Sequence, residues 1–152
     1  MAEHIARIGG KSELHYDSID QAFPKVEAGL RPYGSRVLVQ KRSPRTVTKG
    51  GIYVPHDTQE TEFWNTQVAK VISLGPGAFK NRDTLERWPE GEWCQVGTYV
   101  RVPKYGGDRW FVDLPGTESR RTGVDQACFC IFNDLDLIGE ITVNPLEVVA
   151  FL

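Results

Sequence analysis

Gln67-Val68-Ala69-Lys70-Val71-Ile72-Ser73-Leu74-Gly75-Pro76-Gly77-Ala78-Phe79-Lys80 admits two folds. Its first eight residues, rich in valine and isoleucine, read as a mostly buried strand. A glycine turn after a strand opens a dinucleotide-binding α/β unit when a third glycine and a helix N-terminus follow. Here the third glycine is missing, and residues 78–95 carry Phe79, Trp88, Pro89 and Trp93 with no helical period. Gly75-Pro76-Gly77 is therefore a structural turn, and the strand belongs to an all-β chain.

The neighbouring stretches agree. Leu30 to Gly34 forms a turn into Ser35–Lys41, a strand of near alternation. Gln95–Val102 is a third strand, with Thr98, Val100 and Val102 on one face. Lys104–Asp108 is a turn and Arg109–Leu114 alternates again. Pro115 to Gly123 reads as a polar turn. Asp125–Phe132 is the most apolar strand, and Leu135–Ile141 follows at once. Short strands punctuated by glycine predict a small irregular β-barrel. Asp17–Phe23 is a helix start with Asp17 or Ser18 as cap, limited by Pro24 to about two turns. Residues 1–29 read as an N-terminal extension that packs loosely or orders on a neighbour.

A chain of 152 residues holds one domain with a real core. A net charge of -2 gives no global attraction to nucleic acid or an anionic membrane. No stretch approaches the roughly 20 apolar residues that span a bilayer. The first residues have no apolar region of a secretory signal. Three cysteines, an odd number without export signals, imply reduced thiols and a cytoplasmic setting.

One stretch is not explained by a barrel. Arg42-Ser43-Pro44-Arg45-Thr46-Val47-Thr48-Lys49 is too polar and broken to bury itself. It leads to Gly50-Gly51, which leave the backbone free, and then to Ile52-Tyr53-Val54, an extended apolar triplet stopped by Pro55. Read alone, this is a loop and an edge strand. It is also what an arm with a hydrophobic hook requires.

Catalytic and metal readings fare poorly. Cys128 and Cys130 share a strand face with Cys94 distant in sequence, a poor zinc set, so buried apolar thiols are expected. His4, His15 and His56 share no motif. Asp134 and Asp136 read as a solvated edge rather than an acid–base pair. Trp88, Trp93 and Trp110 are not interleaved with Lys and Arg as stacking platforms are, so packing is among the roles expected of them. There is no nucleophile elbow, and the chain is too short to add a nucleotide-binding domain to a barrel. No enzyme and no cofactor are expected.

The order of the pieces resembles the chaperonin-10 family, GroES-like co-chaperonins. The matching stretches are Leu30–Val39, Gly50–Val54, Val68–Gly77, Val96–Val100, Lys104–Gly107 and Asn133–Ile138. They run in the family's order from residue 30 to about 141. The resemblance implies a GroES-like barrel over residues 30–141, in a ring of seven subunits joined by pairing of terminal strands. It puts the mobile loop on residues 43–58, with Gly50, Gly51, Ile52, Tyr53 and Val54 as the chaperonin-binding residues, and the roof hairpin on residues 78–95. It implies a co-chaperonin that caps an ATP-bound chaperonin-60 ring and assists folding of an unfolded client in the chamber, with all nucleotide chemistry in the partner.

Residues 1–29 and 142–152 depart from the family as N- and C-terminal extensions, and Tyr53 stands where the family favours an aliphatic residue. Such divergence suits a virus-encoded co-chaperonin serving a host chaperonin in the host cytoplasm. The competing reading is a non-enzymatic β-barrel assembly module without a chaperonin partner.

The hook's magnitudes fit repeated use. Ordering about ten arm residues costs on the order of 10–20 kcal/mol. Burying Ile, Tyr and Val returns about 5–9 kcal/mol, and each backbone bond roughly 1. One hook therefore binds weakly, whereas several on a rigid ring gain about 10²–10⁴ in avidity.

Overall fold

The computed structural model describes residues 14–16, 18–44, 47–48, 64–122 and 124–149. In chain order the elements are β1 (Leu14–His15), α1 (Ile19–Ala22), β2 (Arg36–Lys41), β3 (Val47–Thr48), β4 (Val68–Leu74), β5 (Tyr99–Arg101), β6 (Asp108–Asp113), α2 (Gly116–Thr122), β7 (Gln126–Asn133), a 3-10 turn (Asp134–Asp136) and β8 (Gly139–Glu140). Six strands form one antiparallel sheet in the order β6-β7-β2-β4-β5-β8, and β1 pairs with β3 in a second. The fold is small and all-β, as the strand pattern predicted.

Strand β2 lies inside the sheet because both of its faces are apolar. Val37 and Val39 point to one side, with Ala69, Val71, Val100, Val102, Cys130, Phe132 and, from the loops, Phe79, Cys94 and Leu137. Leu38 points to the other, with Leu114, Val124, Ala127 and Phe129. Burying such side chains contributes about 1.5–3 kcal/mol each. The register of β2 against β4 slips between Leu38 and Val39, an irregularity of the kind that bends a strand. A third cluster joins Tyr16, Ala22 and Phe23 to Val68, Ile141 and Val148.

Glycine is needed where two turns cross. A Cβ on Gly75 would sit 2.2 Å from the Gly34 carbonyl oxygen, and Gly77 donates its N–H to that oxygen at 2.8 Å. The Gly75-Pro76-Gly77 turn is thus a packing device, as expected.

Four expectations need correction. The strand expected over residues 95–102 is laddered only at Tyr99–Arg101. Gly97 takes φ 94° and donates to the Val71 carbonyl, and Thr98 accepts from the Val71 N–H at 2.8 Å, so residues 95–98 form a turn that still meets β4 at Val71. The polar turn after Pro115 is the helix α2, which has no apolar stripe to betray it. Local bonds hold it, Ser119 N–H to the Pro115 carbonyl at 2.8 Å and Arg120 Nε to the Gly116 carbonyl at 3.2 Å.

Asp134 is no solvated edge. It is buried, accepts from the backbone N–H of Phe79 at 3.0 Å and of Leu135 at 2.8 Å, and faces Arg82 at 3.8 Å. Nor does the segment from Tyr16 to Phe23 pack loosely: Tyr16, Ala22 and Phe23 are all buried. Helix α1 within it is capped by Ser18, whose Oγ accepts from Gln21 N–H at 3.3 Å.

Residues 79–88 double back on themselves. Lys80 bridges Arg87 antiparallel, Asn81 N–H reaches the Glu86 carbonyl at 2.7 Å, and Trp88 N–H the Phe79 carbonyl at 3.1 Å. Phe79, Trp88 and Trp93 pack ring to ring, with centroids 4.9–6.0 Å apart. These tryptophans close the core, one of the roles expected of them.

Candidate functional site

Gly50, Gly51, Ile52, Tyr53 and Val54 lie outside the described residues. The structure describes both roots of the segment that carries them. The roots leave side by side, since Arg42, just past β2, donates its N–H to the carbonyl of Val68, the first residue of β4, at 2.9 Å. The chain therefore leaves the sheet after Arg42 and rejoins it at Val68 at one point.

The ascending root is held from three sides. Ser43 N–H donates to the Ala22 carbonyl at 2.8 Å, and the Tyr16 hydroxyl donates to the Ser43 carbonyl. Farther along, Val47 and Thr48 pair with His15 and Leu14. Arg42 is buried, which is costly for a cation unless its donors are met. Its Nη1 reaches the carbonyls of Pro145 at 2.8 Å and Val148 at 2.6 Å, and its guanidinium lies 5.3 Å from the Tyr16 ring centroid.

The descending root is held by side chains of β5 and β6. Trp64 meets the Phe111 ring edge-on at 5.4 Å. The Arg109 guanidinium sits 5.8 Å from the Trp64 ring centroid and donates to the Trp64 carbonyl at 2.8 Å. Gln67 donates to the Val102 carbonyl at 3.2 Å and accepts from Arg101 at 2.7 Å. Such contacts fix where the segment returns to the sheet.

Lys41, one residue before the root, escaped sequence reading. It is wholly buried, and its amine has no hydrogen-bond partner among the described residues. Burial, and then the nearby charge of Arg109, lower its pKa below the ordinary lysine value. The signal was faint: Lys41 and Arg42 look like the polar end of a strand reaching water.

The chemistry of the described residues is that of a packed scaffold. Burial pushes the thiols of Cys94 and Cys130 up to about 11 and raises that of Cys128. At neutral pH these thiols are protonated and poor nucleophiles. All three are free and buried, as expected. No cluster of three or more His, Cys, Asp or Glu among the described residues could hold a metal ion. A cavity of about 220 Å³ beneath Trp93 is lined by Cys94, Val100, Leu137 and Glu140 among others, and it brings no acid–base pair together.

Comparison with known proteins gives a consistent result. The family model described as "Chaperonin 10 Kd subunit" matches residues 29–140. The co-chaperonin GroES of Caulobacter vibrioides is 31% identical over 113 residues, covering 74% of this chain and 96% of that protein. The mitochondrial 10 kDa heat shock protein of Mus musculus is 32% identical over 120 residues, 79% of this chain and 94% of its own length. That of Oryzias latipes is 29% identical over 109 residues, 72% and 90%.

Proposed function

This chain belongs to the chaperonin-10 family and is a co-chaperonin by kinship; from that premise we propose that it caps a chaperonin-60 ring in its ATP-bound state. Ile52, Tyr53 and Val54 are the hook, and Gly50-Gly51 the joint that lets it turn into the partner's groove. The chain works as a ring of identical subunits, seven as in the resemblance, with unfolded client held in the chamber beneath. Residues 78–95 form its roof. It performs no chemistry of its own and needs no cofactor, because the partner binds and hydrolyses the nucleotide. It acts in the cytoplasm, that of the host if the chain is virus-encoded. No helix among the described residues is long and apolar enough to cross a membrane.

The observation that carries this reading is the extent of the family match. Residues 29–140 include the triplet proposed as the hook and both roots of its segment. Energetics favour the same arrangement. A single hook gains too little to offset its ordering, whereas hooks on a common ring bind in series as intramolecular events.

Native mass spectrometry tests the proposal, on the protein alone and then with a chaperonin-60 ring and ATP. A ring-sized oligomer that joins the chaperonin only in the presence of nucleotide is expected. A monomer that ignores every chaperonin offered would leave an assembly module and overturn the proposal.

A further inference from the structure

We infer that the segments 14–23 and 141–148 form a collar that positions the ascending root of the arm for docking. The inference rests on the capping function proposed above. Both segments lie outside the family match, which stops at residues 29 and 140. They nevertheless converge on one place. Tyr16, Ala22 and Phe23 from one segment and Ile141 and Val148 from the other share a single buried cluster, to which the matched region contributes Val68. Val68 is also the residue whose carbonyl accepts from Arg42 where the arm leaves the sheet.

The polar contacts are as local as the apolar ones. From the N-terminal side, the Tyr16 hydroxyl and the Ala22 carbonyl take the two backbone groups of Ser43, and β1 gives β3 a strand partner. From the C-terminal side, the carbonyls of Pro145 and Val148 take the guanidinium of Arg42. Six consecutive positions of the chain, 43–48, thus begin and end on contacts to the N-terminal segment. Added chain is ordinarily spent on surface loops, where it touches little. Here both additions are spent on the root of the arm.

The consequence for function is pre-organisation. Backbone already fixed in the free protein need not be ordered when the hook docks, and rigidifying a binding segment raises affinity chiefly by removing that cost. Tyr16 and Arg42 are positioning residues in this scheme, acting on the hook through the backbone of residues 43–48.

The test uses the whole chain, a form lacking residues 1–16, and Tyr16→Phe as a milder variant that keeps the ring over Arg42. Amide exchange at Ser43 and Thr48 in the free protein reports the collar with no chaperonin present. The chaperonin-60 concentration at half-capping, with ATP, reports its role. Removing residues 1–16 should speed exchange at Ser43 and Thr48 while Val39 and Phe129 stay protected, and should raise the half-capping concentration about tenfold. Tyr16→Phe should move both in the same direction by less. Unchanged exchange at Ser43 and Thr48 would overturn the inference, as would faster exchange with capping unaltered. Failure of the whole chain to cap, with the exchange difference intact, would instead overturn the proposed function and with it the collar's purpose.

Discussion

At the scale of single residues, the hook and the buried lysine make opposite demands on the chain. Ile52 is proposed to enter an apolar groove, where an unpaired carboxylate is heavily penalised. Ile52→Asp should abolish capping while the ring still assembles, read by native mass with and without chaperonin; normal capping would remove the hook from the mechanism. Lys41 carries a buried amine without a hydrogen-bond partner among the described residues. Lys41→Met keeps much of its length and removes the unmet donors, so it should stabilise the protein at pH 7 by about 1–3 kcal/mol in urea unfolding. The folded-state pKa of Lys41 lies below its unfolded value of 10.5, so the gain should shrink as pH rises towards 10.5. Neither Lys41 nor Asp134 was legible as buried, because polar residues at strand ends normally face water. What reversed the rule was chain distant in sequence: Phe79 bringing a backbone N–H to Asp134, and β7 pairing beside Lys41 at Cys128 while Arg109 of β6 comes near enough to act on its charge.

Among elements, the strands were read from alternation and β-branching, which depend on residues next to one another. Strands β2, β4, β6 and β7 fall within a residue or two of their expected bounds, and the Gly75-Pro76-Gly77 turn where it was expected. Helix α2 was missed because its seven residues, Gly116–Thr122, carry no apolar period. The burial of Tyr16, Ala22 and Phe23 was missed for another reason: their partners, Val68 and Val148, are remote in sequence. The hook residues were picked out by their glycines and apolar triplet and by family likeness, and they lie outside the described residues. Their segment still supports a prediction of kinetics. Proline in place of Gly50 restricts the joint, so Gly50→Pro should chiefly slow release of the chaperonin rather than prevent capture. Dissociation timed after ATP hydrolysis, set against the association rate, checks this.

For the molecule as a whole, the buried thiols set an alkaline limit. The thiols of Cys94 and Cys130 ionise near pH 11 in the folded protein and near 9.0 unfolded. Their contribution is fully present below pH 9.0 and is lost as pH rises towards about 11. The urea midpoint should therefore fall across that range, and more steeply in Lys41→Met, where the opposing lysine contribution is gone; a flat profile would contradict the assignment. The placement of Arg42 bears on a different matter, the order of events during synthesis. Its acceptor at Val148 lies 106 residues downstream. At the roughly 5–20 residues per second of a translating ribosome, on the order of 5–20 s pass between the two. Through that interval Arg42 exists without the acceptor that Val148 supplies. Translation itself thus acts as a timer, setting a delay between the making of Arg42 and the making of its anchor.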